Sequence, residues 1–152
     1  MLRDVIEDDL SILFEHQRDP VATRMAAFPA RDWDAFVAHW RGKVLGEQSA
    51  CKKTVLVGND VAGYISSWNQ DDKRLVGYWL GRAYWGRGIA TAALAEFLAH
   101  DTTRPLHAFV AALNIGSIRV LEKCGFRRVG EGHMGKDGVE EYLFRLDEAR
   151  RH

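Results

Sequence analysis

The chain has 152 residues, 47% of them apolar and 11% aromatic, enough for one domain with a substantial core and too few to make a second one expected. Its 21 basic residues are balanced by 21 acidic ones and no basic stripe is interleaved with aromatics, so nucleic acid is not an expected partner. The two cysteines, Cys51 and Cys124, make no disulfide framework, residues 1–9 are acidic where a signal peptide is basic and then apolar, and no apolar run approaches a membrane span. These features predict a soluble cytoplasmic protein with no membrane partner; its oligomeric state, monomer or homodimer, stays open.

Leu2 to Ile6 reads as a short strand. Asp8 or Asp9 can cap a helix that puts Leu10, Leu13 and Phe14 on one face, and Asp32 can cap another with Phe36, Val37 and Trp40 together. From Thr54 the pattern changes. Thr54 to Val57, the turn Gly58-Asn59-Asp60, and Val61 to Trp68 predict a β-hairpin, with Arg74 to Leu80 as a third strand beside it. A helix follows from about Gly88 to His100, with Ile89, Ala93 and Phe97 on one stripe and Ala90, Leu94 and Leu98 on the next, a face wide enough to pack on a sheet. Leu106 to Val110 is the next strand, which predicts a right-handed parallel crossover. A short helix from Ser117 to Cys124 is stopped by Gly125 at the left-handed position past its end, and strands near Phe126 to Glu131 and Glu141 to Arg145 complete the pattern.

The run from Val76 to Thr91, VGYWLGRAYWGRGIAT, takes an apolar strand through a Gly-rich turn directly into a helix. A helix N-terminus carries unpaired N–H groups and about half a positive charge, so a diphosphate is held there when the preceding loop lacks bulky side chains, as Gly86 and Gly88 ensure. The bland alternative is an ordinary strand-to-helix turn. A dinucleotide fingerprint fits badly, because Thr91 stands where a third Gly or Ala belongs and the acidic residue expected about 20 positions on is absent. Downstream, Asn114 and Ser117 either contact a ligand or merely cap and turn the chain. Cys124, in the last turn of a packed helix, reads as a small buried hydrophobe rather than a nucleophile. The six histidines, His16, His39, His100, His107, His133 and His152, show no ligand spacing, so no metal is expected.

Trp85-Gly86-Arg87-Gly88-Ile89-Ala90 resembles the acetyl-coenzyme A loop Q/R-x-x-G-x-G/A of the GNAT acetyltransferases, with Trp85 in place of the first Gln or Arg. Asn114-Ile115-Gly116-Ser117 followed by Leu121-Glu122-Lys123-Cys124-Gly125-Phe126 resembles the N-x-x-S-x-x-x-x-E-K-x-G-F of the branch that includes the Rim-type ribosomal-protein N-acetyltransferases. The resemblance implies a single α+β (mixed α/β) domain over residues 1–152, with a twisted mixed sheet of about six or seven strands and about four helices. It further implies transfer of acetyl from the cosubstrate acetyl-coenzyme A directly to a primary amine, either a protein N-terminus or a small-molecule amine.

In that reading the amides from Arg87 to Thr91, with Gly88, Ile89 and Ala90 between them, hold the pyrophosphate, and Arg82 and Arg87 add charge. The strand from Val76 to Leu80 offers N–H groups to the thioester oxygen, Asn114 meets the pantetheine arm, and Ser117 lies near the sulfur. The tyrosine that many members place after this motif is replaced by Leu121 and Glu122, and a glutamate frequent at the start of the motif strand is replaced by Leu75. The general base is therefore open among a water chain, His107 and a carboxylate of the helical half such as Asp34. Trp33, Phe36, Trp40 and Trp68 either line the acceptor cleft or fill core. A non-catalytic acyl-coenzyme A binder and a small nucleotide-binding domain are the alternatives.

Overall fold

The computed structural model describes residues 1–26, 31–44, 49–129, 133–134 and 140–148. In chain order these form β1 (Leu2–Asp4), α1 (Leu10–Arg18), α2 (Pro20–Ala26), α3 (Trp33–His39), β2 (Cys51–Val57), β3 (Asp60–Gln70), β4 (Lys73–Leu80), α4 (Ile89–His100), β5 (Leu106–Ala111), α5 (Ile115–Lys123), β6 (Arg127–Arg128), β7 (His133–Met134) and β8 (Glu140–Leu146). The eight strands make one sheet in the order β1-β2-β3-β4-β5-β8-β6, with β7 also on β8. Its mixed character comes from one parallel pair, β4 with β5; the other neighbours are antiparallel. The expected mixed sheet with helices is thus present, with one more strand and one more helix than anticipated: two-residue β7 and α2. Glu131 and His152, named in the sequence reading, lie outside the described residues.

Local chemistry explains most boundaries. Val57 pairs with Asp60, so the hairpin turns on Gly58-Asn59 alone, with Gly58 at φ +61, the left-handed region that suits glycine. Asp32 caps α3 as expected, its Oδ1 accepting from the Ala35 amide at 2.8 Å. Asp9 does not cap α1. Its buried carboxylate instead accepts from the Arg3 guanidinium (2.7 and 2.8 Å), the Thr54 hydroxyl (2.7 Å) and the Ile6 amide (3.0 Å), fastening the chain ahead of α1 to β1 and β2. The unanticipated α2 begins at a recognisable signal: Asp19 is extended (ψ 116), as a residue before proline prefers, its Oδ1 accepts from the Val21 amide at 3.0 Å, and Pro20 occupies the first helical position.

The sheet separates two cores. On one face α4 and α5 bury Ala93, Leu94, Phe97 and Leu121 against Ile65, Val76, Leu106, Ala108 and Phe144. On the other, α1 and α3 bury Leu10, Leu13, Phe36 and Trp40, with Phe14, Val37 and Tyr64 packed at the margin, which is the stripe pattern expected of them. The far end of α4 is tied down by a polar cluster. Asp101 accepts from the Ser67 hydroxyl (2.5 Å), Arg74 Nε (2.9 Å) and the Thr103 amide (3.0 Å), so the helix axis is fixed relative to β3 and β4.

One irregularity positions the site. β3 and β4 pair along the full length of β4, from Gln70 with Lys73 to Gly63 with Leu80, and β5 pairs along its full length with β8. Between β4 and β5 the one register pair is Leu75 with His107. Past it the two parallel strands part, leaving the β5-facing edge of β4 open from Val76 to Leu80.

Candidate active site

A cavity of about 400 Å³ lies beside the end of this open edge. Its walls are Tyr78, Trp79 and Leu80 at the end of β4, Tyr84 to Gly86 and Gly88 to Thr91 in the loop and first turn of α4, Asn114, Gly116, Ser117, Arg119, Val120 and Lys123 at α5, and Ala22 and Met25 of α2. The expected cofactor residues Leu80, Gly88, Ile89, Ala90, Thr91, Asn114 and Ser117 all line it.

The loop is built to leave amides free. A 3-10 turn over Arg82–Tyr84 uses the amides of Tyr84 and Trp85, bonded to the Gly81 and Arg82 carbonyls at 2.9 and 3.1 Å. The Trp85 indole, standing where the family motif has Gln or Arg, donates to the Leu80 carbonyl at 3.1 Å and clamps the loop to the strand. Gly86 and Gly88 follow at φ +71 and +76, and a Cβ on either would meet nothing within 4 Å. The first helical bond of α4 runs from the Ala92 amide to the Gly88 carbonyl, so the amides of Ile89, Ala90 and Thr91 have no partner within the helix, and all three residues line the cavity. No acidic side chain occupies that first turn.

The charges around this cradle differ from those expected. Arg82 turns away to pair with Asp19 at 3.0 Å, and the Arg87 guanidinium stands 5.8 Å from the centroid of the Tyr84 ring. Among the described residues the cations on the cavity wall are Arg119 and Lys123, one turn apart on α5, and no carboxylate lines it. Helix dipole, free amides and two cations together favour an anion.

Deeper in, Tyr78 supplies a hydroxyl that the sequence reading did not assign. Its oxygen is 2.7 Å from Ser117 Oγ and donates at 3.3 Å to the Ser117 carbonyl. Burial pushes this phenol up to about 12, with the Ser117 bond pulling in the opposite direction, so it is a protonated hydroxyl at neutral pH. A tyrosine hydroxyl thus reaches the Ser117 side chain from β4 rather than from α5. Asn114 sits at the N-cap of α5, and its Oδ1 accepts from the Ser117 amide at 3.2 Å. This cap leaves the side-chain NH₂ for the cavity it lines.

Other named residues lie elsewhere. His107 lines a separate depression with Lys73, Arg104 and Pro105, where β4 and β5 begin. Asp34 is exposed on the first turn of α3. Phe36 and Trp40 fill core, Trp33 packs on Phe14 at 5.1 Å, and Trp68 lies against Gly77, whose Cβ would be 3.1 Å from the indole; none of the four lines the cavity. The Cys124 thiol faces the Thr91 carbonyl at 3.5 Å, and burial raises its pKa, which keeps it from being a thiolate. Among the described residues no cluster of three or more His, Cys, Asp or Glu side chains could hold a metal, and no helix is long and apolar enough to cross a membrane.

An open strand edge with a glycine-opened helix N-terminus beside it is an arrangement suited to an anionic ligand. The chain belongs to the GNAT acetyltransferase family, whose domain model matches residues 1–127. The match is to the family, and the Rim-type branch is not distinguished by it. The probable N-acetyltransferase YjcK of Bacillus subtilis (strain 168) is 39% identical over 59 residues, a segment that covers 36% of this chain and only 33% of that relative. Among solved structures, the aminoglycoside acetyltransferase AAC(6')-Ib in complex with coenzyme A aligns with a TM-score of 0.77 at 21% identity, covering 96% of this chain and 94% of the other. The spermidine N-acetyltransferase of Vibrio cholerae in complex with coenzyme A and spermine aligns at 0.80 and 12%, covering 97% and 94%. At such identities the structures share the fold.

Proposed function

We propose that the protein is an acetyl-coenzyme A-dependent N-acetyltransferase that passes acetyl directly to a primary amine, with the amine on a small molecule or at a protein N-terminus. The carrying observation is the coincidence, in one cavity, of unpaired α4 amides, flanking cations and the Tyr78–Ser117 hydroxyl pair beside the open edge of β4. In this reading the amides of Ile89, Ala90 and Thr91, with Arg119 and Lys123, hold the pyrophosphate, and the Asn114 amide meets the pantetheine arm. Backbone N–H groups at the end of β4, near Leu80, bear the negative charge that develops on the thioester oxygen, and they do so without reorganising because the sheet fixes them.

Binding both partners in one cleft turns a bimolecular encounter into an oriented one. Tyr78, protonated and hydrogen-bonded to Ser117, is placed to give its proton to the departing sulfur, so Ser117 acts by orienting Tyr78 as well as by lying near the sulfur itself. No thiolate is available on Cys124, which supports direct transfer over an acetyl-enzyme. The likeness in fold to an aminoglycoside acetyltransferase and to a spermidine N-acetyltransferase supports a cationic small-molecule amine over a protein N-terminus.

The test is a panel of amines, including aminoglycosides, polyamines and short peptides, incubated with acetyl-coenzyme A while free thiol is followed. Thiol release that depends on one amine class supports the proposal and names the acceptor. A melting-temperature shift with coenzyme A but no amine-dependent thiol release identifies a non-catalytic binder, and a shift with a nucleotide alone overturns the coenzyme A reading.

A further inference from the structure

We infer that the imidazole of His16, on α1, is the proton acceptor for the incoming amine. The inference rests on the amine acetylation proposed above and adds the one group that the cavity itself lacks. An ammonium must lose a proton before its nitrogen can attack a thioester, yet among the described residues no carboxylate or imidazole lines the cavity.

His16 lines a depression of its own with Phe14, Glu15 and Trp33, and several independent contacts set it against the segment that walls the cavity. A Cβ on Gly81, the residue directly after β4, would come within 2.7 Å of both Cδ2 and Nε2 of the His16 ring, so the ring lies on bare backbone at the end of the strand. Its centroid is 6.4 Å from that of Tyr84, a cavity-lining ring, at 71°. The Trp79 indole donates to the His16 carbonyl at 3.3 Å, and Asp19, three residues on, pairs with Arg82. The last turn of α1 is therefore docked on the segment that joins β4 to the cradle.

The ring is also unengaged. Its Nδ1 is buried with no hydrogen-bond partner among the described residues, a condition uncommon enough in folded proteins to call for a use. Arg82 and Glu15, on the segments around it, are already paired, with Asp19 and with Arg18 at 3.1 Å, and the Tyr84 ring stands beside the imidazole. Burial alone pushes His16 below the ordinary histidine range, so it is a neutral base at pH 7. His107 shares the unpartnered Nδ1 but sits in the depression where β4 and β5 begin, not at the open end of β4.

In the step this implies, the ammonium gives one proton to His16, directly or through one water, and His16 later releases it to solvent. The freed nitrogen pair forms the C–N bond, the C–S bond breaks with its electron pair on sulfur, and Tyr78 protonates that sulfur. The nitrogen's second proton leaves to solvent, from which Tyr78 recovers its own.

The test is the pH dependence of kcat/KM for wild type and His16→Gln with an amine of solution pKa well above 7. Wild type is expected to be flat through neutral pH and to fall below the depressed His16 pKa. His16→Gln should instead climb with unit slope toward the amine's own pKa, because only the neutral amine then reacts, and should be slower by about 100-fold at pH 7, with acetyl-coenzyme A affinity unchanged. A variant that keeps the wild-type plateau and acid limb overturns the inference. Should the variant not fold, an NMR titration of His16 in the wild type decides: agreement with the kinetic acid limb supports the role, and a mismatch overturns it. A wild type inert to every amine would instead contradict the parent reading, so the two failures are distinguishable.

Discussion

The Tyr78 hydroxyl stands 2.7 Å from that of Ser117, linking the middle of β4 to the first turn of α5 across the gap where β4 and β5 have parted. Two hydroxyls from opposite walls meet there in a place where the fold otherwise leaves backbone uncovered. As burial holds the phenol protonated, the pair can supply a proton to a thiolate leaving group.

Tyr78→Phe keeps the ring and removes that proton. The expected result is a kcat lower by about 100-fold with little change in acetyl-coenzyme A affinity, and a stability loss of about 1 kcal/mol for the missing hydrogen bond. Steady-state kinetics with a melting curve decide; an unchanged kcat would make the pair structural.

At Gly88 there is room for a side chain but not an unstrained backbone, given φ +76. Gly88→Ala should cost about 1 kcal/mol of stability and retain the thermal shift with acetyl-coenzyme A, whereas Gly88→Asp should abolish the shift by placing a carboxylate at the pyrophosphate. For wild type the shift corresponds to about 2.7 kcal/mol at about 100 times the dissociation constant.

Asn114→Ala loses a helix cap, worth about 1 kcal/mol or roughly 2–4 °C in melting temperature. If the free NH₂ of Asn114 also meets the cofactor arm, acetyl-coenzyme A binding weakens as well, and calorimetric titration separates the two effects.

Asp101 offers a pH signature of stability. Burial raises its pKa, but the bonds from Ser67, the Thr103 amide and Arg74 outweigh this and bring it to about 2. A carboxyl depressed in the native state stabilises above its unfolded pKa, so this contribution is present above about pH 4 and is lost as the pH falls toward about 2. Asp101→Asn should cost roughly 3 kcal/mol at pH 7 and show a shallower fall in melting temperature across that window; Asp9, similarly depressed, keeps part of the slope. An equal slope in both proteins would contradict the assignment.

What was legible in the sequence was whatever depends on near neighbours. The hairpin at Gly58, the α4 stripe through Ala93 and Phe97, the cap at Asp32 and the glycine-opened loop are all local, and the structure has them. Long-range pairings were not legible. Tyr78 alternates with Val76 and Leu80 on the apolar face of β4, so it reads as core until α5 brings Ser117 to its hydroxyl. Arg82 stands in the motif yet is claimed by Asp19 from a distant helix, while Arg119 and Lys123 become a cavity wall once α5 begins at Ile115. Asp9 looked like a cap because it precedes an apolar stripe, but β1 and β2 supply stronger donors.

The central claim is that the cleft between β4 and β5 passes acetyl straight from acetyl-coenzyme A to an amine. Rapid-quench mass spectrometry of a single turnover, with enzyme in excess over acetyl-coenzyme A and the best amine of the panel present, follows the acetyl group directly. Acetylated amine and free coenzyme A should appear together in equal amounts while the protein mass never changes, and Cys124→Ser should give the same time course. Acetyl on the protein ahead of product, or coenzyme A released without acetylated amine, would contradict it.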